Sequence, residues 1–145
     1  ELLLNGALLL LFISIPGLRA RFVPATAAAA IAGLAIQAAA IAFAIWARRH
    51  LGKHWSGEIT IKVDHQLIRS GPYRLLRHPI YTGWLGSFVG SAIASGEIHA
   101  LLGLGLVMFA YWRKIRLEET NLDEAFGAEY SAYKRQTWAL VPLLF

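Results

Sequence analysis

The sequence predicts an all-α fold: a single membrane domain of 145 residues, built as an integral membrane helical bundle with about four transmembrane helices. Three observations carry this. Apolar residues make up 57% of the chain, above the usual range of soluble domains. Positions 24–47 hold no charged residue, and as a helix they cover roughly 36 Å, enough for the ~30 Å hydrocarbon layer. The cations sit in clusters at the ends of apolar stretches, as they do where spans leave a membrane.

Taken in order, the elements follow from hydropathy and punctuation. A first span is expected near 2–17, without its beginning because the chain opens on Glu1 with no initiator Met; Ile15-Pro16-Gly17 is a poor match to a leader cleavage site, which speaks against a signal peptide. The second span is 24–47. A polar stretch, 48–78, follows, with an alternating piece from Glu58 to Asp64 that suggests a short extended segment lying on the bundle. Uncharged runs at 79–96 and 98–115, the latter uncharged up to Trp112, are slightly short for spans and meet at Gly96 and Glu97, which predicts a tight helical hairpin. Gly83, Gly86, Ser87, Gly90, Ser91, Ala94 and Ser95 give the third span a surface that another helix can approach closely. The tail, 116–145, begins within an amphipathic helical pattern that runs from Arg113 to Tyr133 and breaks near Gly127, after which Pro142 and the last apolar residues are expected to tuck back.

Charge sets the expected topology. Of fourteen Lys and Arg, seven lie between Arg48 and Arg77 and five between Arg113 and Arg135. Both regions are therefore placed on the cytoplasmic side, in an inner membrane whose lipid is a partner. The net charge of +5 is tied to membrane boundaries, which speaks against nucleic acid. The absence of cysteine excludes disulfides, thiolate metal sites and cysteine nucleophiles. His50 and His54 are four apart, but two ligands are too few for zinc and Gly52 weakens the helix between them, so no metal is expected.

Chemistry concentrates in the run from Gly71 to Gly83. Two prolines fix its backbone and two flanking glycines punctuate it, and it presents Tyr73, His78 and Tyr81 at the start of an apolar segment. Tyr73 and Tyr81 also fit an interfacial aromatic belt. Glu118 and Glu119 follow Arg113, Lys114 and Arg116 where the fourth span ends; a surface ion pair is the simplest reading. The hairpin, however, returns Glu118 to the level of His78 and Tyr81, so a shared polar pocket is expected.

The stretches Asp64-His65-Gln66-Leu67-Ile68-Arg69-Ser70-Gly71-Pro72-Tyr73-Arg74, Arg77-His78-Pro79-Ile80-Tyr81-Thr82-Gly83, Arg116-Leu117-Glu118-Glu119 and Phe126-Gly127-Ala128-Glu129-Tyr130, with Tyr133-Lys134, resemble the isoprenylcysteine carboxyl methyltransferase family and its bacterial relatives. The resemblance covers roughly the last ninety residues. It implies S-adenosyl-L-methionine as cofactor, held by His65, Gln66, Leu67 and Ile68, by Tyr73, His78, Pro79, Ile80 and Tyr81 of the turn, and by Glu118. Some members carry an arginine one turn before that glutamate to hold the substrate carboxylate. This chain has Lys114 there, flanked by Arg113 and Arg116, and these three are the candidates for the substrate contact.

The implied reaction is carboxyl methylation of a lipophilic or lipidated acceptor such as a prenylcysteine. It needs alignment and a dry pocket more than proton transfer, because a carboxylate is already ionised near neutral pH. An arginine can orient the carboxylate and Glu118 can balance a cationic cofactor, with His78 as a binding and orienting group. Three other readings are weighed: a phospholipid amine methyltransferase, which needs a base; a sterol-type reductase with a nicotinamide cofactor, which shares the Arg-His-Pro-x-Tyr turn; and a lipid-binding scaffold without catalysis.

Overall fold

The computed structural model describes residues 20–52 and 67–142. The expected span at 2–17, the extended piece at 58–64, and His54, His65 and Gln66 lie outside the described residues. The rest is helical, as expected: α1 (Ala27–Leu51), α2 (Pro79–Ser95), α3 (Ile98–Phe126) and α4 (Ala128–Lys134), with a 3-10 turn at Gly71–Arg74. Among the described residues there are no named strands, only isolated bridges pairing Arg21 with Glu97 and Leu76 with Trp138.

Local chemistry sets the helix ends. Thr26 caps α1, its Oγ1 accepting from the Ala29 N–H at 3.2 Å, and Arg48, Arg49 and His50 occupy the last turn where the helix dipole favours cations. Pro79 begins α2 with its fixed φ, and the helix stops at Gly96, whose φ of 67° is left-handed. The sequence divides the region after Ile98 into a span and a cytoplasmic helix. The structure instead has one unbroken helix of 29 residues, which ends only at Gly127. Between Trp112 and Phe126 there is neither glycine nor proline, and Leu, Glu, Lys and Arg carry the helix across the change from apolar to charged.

α1 and α2 run antiparallel in close contact. A Cβ built on Gly33 would lie 2.5 Å from the Ala94 nitrogen, one on Gly83 2.6 Å from Ala44 Cβ, and one on Gly90 2.6 Å from both the Gln37 nitrogen and the Gly33 carbonyl oxygen. The small-residue face read from the sequence is thus used along its length, against the alanine-rich face of α1. Gln37 Nε2 donates to Ser91 Oγ at 3.0 Å across the same seam. α2 and α3 meet through bulkier groups: Phe88 and Ala92 pack on Ala100 and Val107, with Leu85, Leu104 and Tyr111 around them. The chain before α1 straps the hairpin turn, with Phe22 N–H donating to the Gly96 carbonyl and Arg21 Nη2 to the Ser95 carbonyl, both at 2.9 Å.

Large apolar side chains face outward. Ile31, Leu34, Ile45 and Trp46 of α1 and Leu102, Met108 and Phe109 of α3 are exposed, while much of the buried set is small. A bundle with an apolar exterior belongs in lipid. α1 and α3 are long and apolar enough to cross a membrane; α2, with 17 residues, is somewhat shorter, roughly 25 Å.

At the end of the bundle away from the strap, the C-terminal segment docks on the turn before α2. Arg77 N–H donates to the Trp138 carbonyl at 2.8 Å, Trp138 N–H to the Leu75 carbonyl at 3.0 Å, and His78 N–H to the Ala139 carbonyl at 3.0 Å. Thr82 Oγ1 donates to the Leu140 carbonyl at 2.7 Å. Residues 138–140 make these contacts; Pro142, expected to tuck in, is exposed.

Candidate active site

The stiff run beginning at Gly71 forms its turn because Gly71 takes φ +58° and Pro72 follows it. A side chain at Gly71 would enter the His50 ring, with Cβ 2.6 Å from Cε1. That close approach brings the end of α1 into the site. His50 Nε2 lies 2.9 Å from Ser70 Oγ, and its ring stacks on Tyr73 with centroids 6.4 Å apart. Tyr73 is buried, and its backbone carbonyl accepts from the Tyr133 hydroxyl at 2.6 Å. Burial, reinforced by the neighbouring Tyr133 and Glu118, raises the Tyr73 phenol above its ordinary value, against the opposing pull of Arg48. It stays a neutral donor at any ordinary pH.

His78 is the N-cap residue of α2 and is only 6% exposed. Its Nδ1 lies 3.5 Å from Glu118 Oε2 and its Nε2 3.3 Å from Glu119 Oε1. Burial alone would lower the ring's proton affinity, but hydrogen bonding to Glu118 and Glu119 and their charges outweigh it, so His78 is held above its ordinary 6.5. One helical turn on, the Tyr81 hydroxyl donates to Glu118 Oε1. The Tyr81 ring stacks on His78 at 5.8 Å, meets Tyr111 at 4.9 Å and carries Lys114 Nζ over its face at 5.8 Å.

Behind this layer, Arg77 donates through Nε to Glu119 Oε1 at 2.6 Å and through Nη1 to the Thr137 carbonyl at 2.6 Å. Glu119 thus pairs with the turn before α2 instead of with a neighbour on its own helix. The Glu118 side chain is 23% exposed and the Glu119 side chain 16%. Glu118 is the carboxylate more open to a ligand.

Four of the residues singled out from the sequence therefore converge: His78, Tyr81, Glu118 and, at the rim, Lys114. Tyr73 lies close enough to Glu118 to feel its charge. Pro79 is buried and Ile80 half-buried at the start of α2, and Leu67 and Ile68 are half-buried where the described chain resumes. Arg113 and Arg116 are exposed; the Arg116 guanidinium lies over the Trp112 ring at 5.8 Å, directed along the outer surface. Sequence reasoning missed Arg77, Tyr111 and the role of Glu119. Tyr111 precedes Glu118 by seven positions, two helical turns, so its face was readable; the Thr137 contact of Arg77 joins positions 60 apart and had no local signal. Among the described residues, no group of three or more His, Cys, Asp or Glu is arranged to hold a metal.

An apolar-faced helical bundle with a carboxylate, imidazole and phenol cluster defines a membrane protein with a polar site at one end of its bundle. The chain belongs to the phospholipid methyltransferase family, whose model matches residues 28–129. Among curated relatives it is 31% identical over 115 residues to protein-S-isoprenylcysteine O-methyltransferase A of Arabidopsis thaliana, covering 79% of this chain and 56% of that one. It is 31% identical over 80 residues to protein-S-isoprenylcysteine O-methyltransferase of Dictyostelium discoideum, covering 54% and 34%, and 34% identical over 87 residues to that of Saccharomyces cerevisiae, covering 56% and 34%. The resemblance carried by the motifs is thus borne out. The chain spans between about a third and somewhat over half the length of these relatives. The solved eukaryotic intramembrane Ras methyltransferase, isoprenylcysteine carboxyl methyltransferase, matches with a TM-score of 0.79 at 22% identity over 98% of this chain and 51% of that one, so the fold is shared.

Proposed function

We propose that this chain forms the site of an S-adenosyl-L-methionine-dependent enzyme that methylates the carboxylate of a lipophilic, prenylcysteine-like acceptor at the membrane. The observation that carries the reading is the meeting of His78 and Tyr81 with Glu118 at one end of the bundle. The residues fit the donor. A sulfonium nucleotide presents a cation, an amine and hydroxyls; Glu118, held on one side by Tyr81 and on the other by His78, offers a fixed carboxylate to them, and the Tyr111 ring beside Tyr81 offers a face for a cation.

The bound donor would supply an electrophilic methyl group, and the chain's part is to bind, align and exclude water. On this reading Tyr73, His78, Pro79, Ile80, Tyr81 and Glu118, with the segment from His65 to Ile68, hold the donor. Lys114, whose ammonium sits at the Tyr81 face, is the best-placed of the three basic candidates to meet the acceptor carboxylate; Arg113 and Arg116 lie further out. The cations in the last turn of α1, and Arg113, Lys114 and Arg116 where the apolar part of α3 stops, suit the cytoplasmic face of an inner membrane, and the apolar exterior suits lateral entry of the acceptor tail from lipid. The family's description favours a second reading, methylation of a phospholipid amine. That reaction needs a base, and the imidazole nearest the site is already engaged on both sides.

The test is incubation of the purified protein with radiolabelled donor and a panel of prenylated cysteine acids and phospholipids. Base-labile label on the prenylated acids is the expected result; alkali-stable label on the phospholipids would overturn it in favour of the amine.

A further inference from the structure

His78 is buried with acceptor-only groups at both ring nitrogens. From α3 it meets Glu118 at Nδ1 and Glu119 at Nε2, at 3.5 and 3.3 Å; from α2 it meets the Tyr81 ring; and beyond Glu119 stands Arg77. A neutral imidazole has one bare nitrogen, and either nitrogen left bare here would point its lone pair at a carboxylate. Both carboxylates also accept hydrogen bonds from other side chains. Glu118 Oε1 accepts from Tyr81, and Glu119 Oε1 accepts from Arg77, whose guanidinium keeps its charge at any ordinary pH.

We propose that Glu119 is a positioning residue of this site: together with Arg77 it holds His78 as a doubly protonated imidazolium, whose Nδ1–H then fixes the Glu118 carboxylate toward the ligand. The arrangement is a relay of alternating charge, Arg77, Glu119, His78, Glu118, ending on the more exposed acid. It is anchored away from the site, since Arg77 Nη1 is held by the Thr137 carbonyl at 2.6 Å and lies 3.3 Å from that of Lys134. Glu119 therefore acts through His78 and does not touch the ligand. A ring in this state has no lone pair with which to accept a proton, so the site favours acceptors that arrive ionised. This last step rests on the proposed methyl-transfer reading; the charge state of the ring does not.

The experiment is nitrogen NMR on histidine-labelled full chain in lipid nanodiscs, with the His78 signals identified by their loss in His78→Gln, alongside titration with S-adenosylhomocysteine. At about pH 7.5 both His78 nitrogens are expected to carry protons, and Glu119→Gln is expected to move the ring's titration midpoint down by about one unit, a tenfold change in proton affinity. The same variant is expected to weaken S-adenosylhomocysteine binding about tenfold, and Glu119→Asp to recover most of that loss. A neutral His78 ring in the unsubstituted protein overturns the proposal. So does a Glu119→Gln protein with lowered thermal stability but an unmoved titration, which is what a merely structural role would give. If the ring is doubly protonated and nothing binds, the donor assignment fails while the positioning role of Glu119 stands.

Discussion

The Tyr133 hydroxyl donates to the Tyr73 backbone carbonyl at 2.6 Å, joining the last helix to the turn that precedes His78. Sixty positions separate the two residues, and both are buried. Burial, opposed by Arg77 and Arg69, leaves the Tyr133 phenol pushed up to about 12, so it donates throughout the working range of pH. Tyr133→Phe removes the hydroxyl that donates to that buried carbonyl and is expected to cost about 1–2 kcal/mol of stability, measured by denaturant titration in detergent. Donor binding is expected to weaken with it, because the turn carries Tyr73.

The seam between α1 and α2 makes a sharper structural prediction. Gly90→Ala pushes a methyl group toward the Gln37 nitrogen and the Gly33 carbonyl oxygen, both backbone atoms that cannot rotate away. The expected loss is about 1–3 kcal/mol in the same titration. Gly105→Ala, where nothing lies within 4 Å of the added carbon, is the control and is expected to be neutral or slightly stabilising.

Glu118→Gln keeps the shape of the acid and removes its charge. S-adenosylhomocysteine binding measured by calorimetry is expected to weaken by about 2 kcal/mol, roughly thirtyfold, as for loss of a charged hydrogen-bond acceptor. Tyr81→Phe, which only frees Glu118 Oε1, is expected to weaken it by about 1 kcal/mol, near fivefold. Unchanged affinity in both variants would remove Glu118 from the binding site.

The raised proton affinity of His78 gives a pH signature. A group whose folded value lies above its unfolded 6.5 contributes stability that is complete below 6.5 and disappears as pH rises through the folded value. Melting temperature of the unsubstituted protein is therefore expected to fall as pH is raised from about 6.5, while His78→Gln is expected to flatten that stretch of the profile. Thermal scans at closely spaced pH values check it.

Much of this molecule was legible because the signals were local. Pro79 and Gly96 bound α2 where the sequence put its limits, and the small residues from Gly83 to Ser95 announced the contact that α1 fulfils. The convergence of His78 with Glu118 followed from hairpin geometry alone. What escaped notice depended on distant chain. Hydropathy alone divides α3 near Trp112, because a change from apolar to charged residues looks like a change in structure. From the sequence Glu119 reads only as one of two acids in a surface ion pair; its meaning comes from Arg77, 42 positions earlier. The strap of Arg21 and Phe22 over Gly96 had no signature beyond the two cations, Arg19 and Arg21, before a span.

The continuity of α3 ties two environments together mechanically. Its upper half packs among lipid-facing leucines, its lower half bears the acids that meet His78, and no hinge divides them. Flexing such a rod in the middle would break ladder hydrogen bonds, so it leans as a whole. Where a thinner or thicker bilayer changes the lean of α3 relative to α2, Glu118 and Glu119 are expected to move with it against the turn at Arg77, and lipid chain length would then act on the geometry of the site.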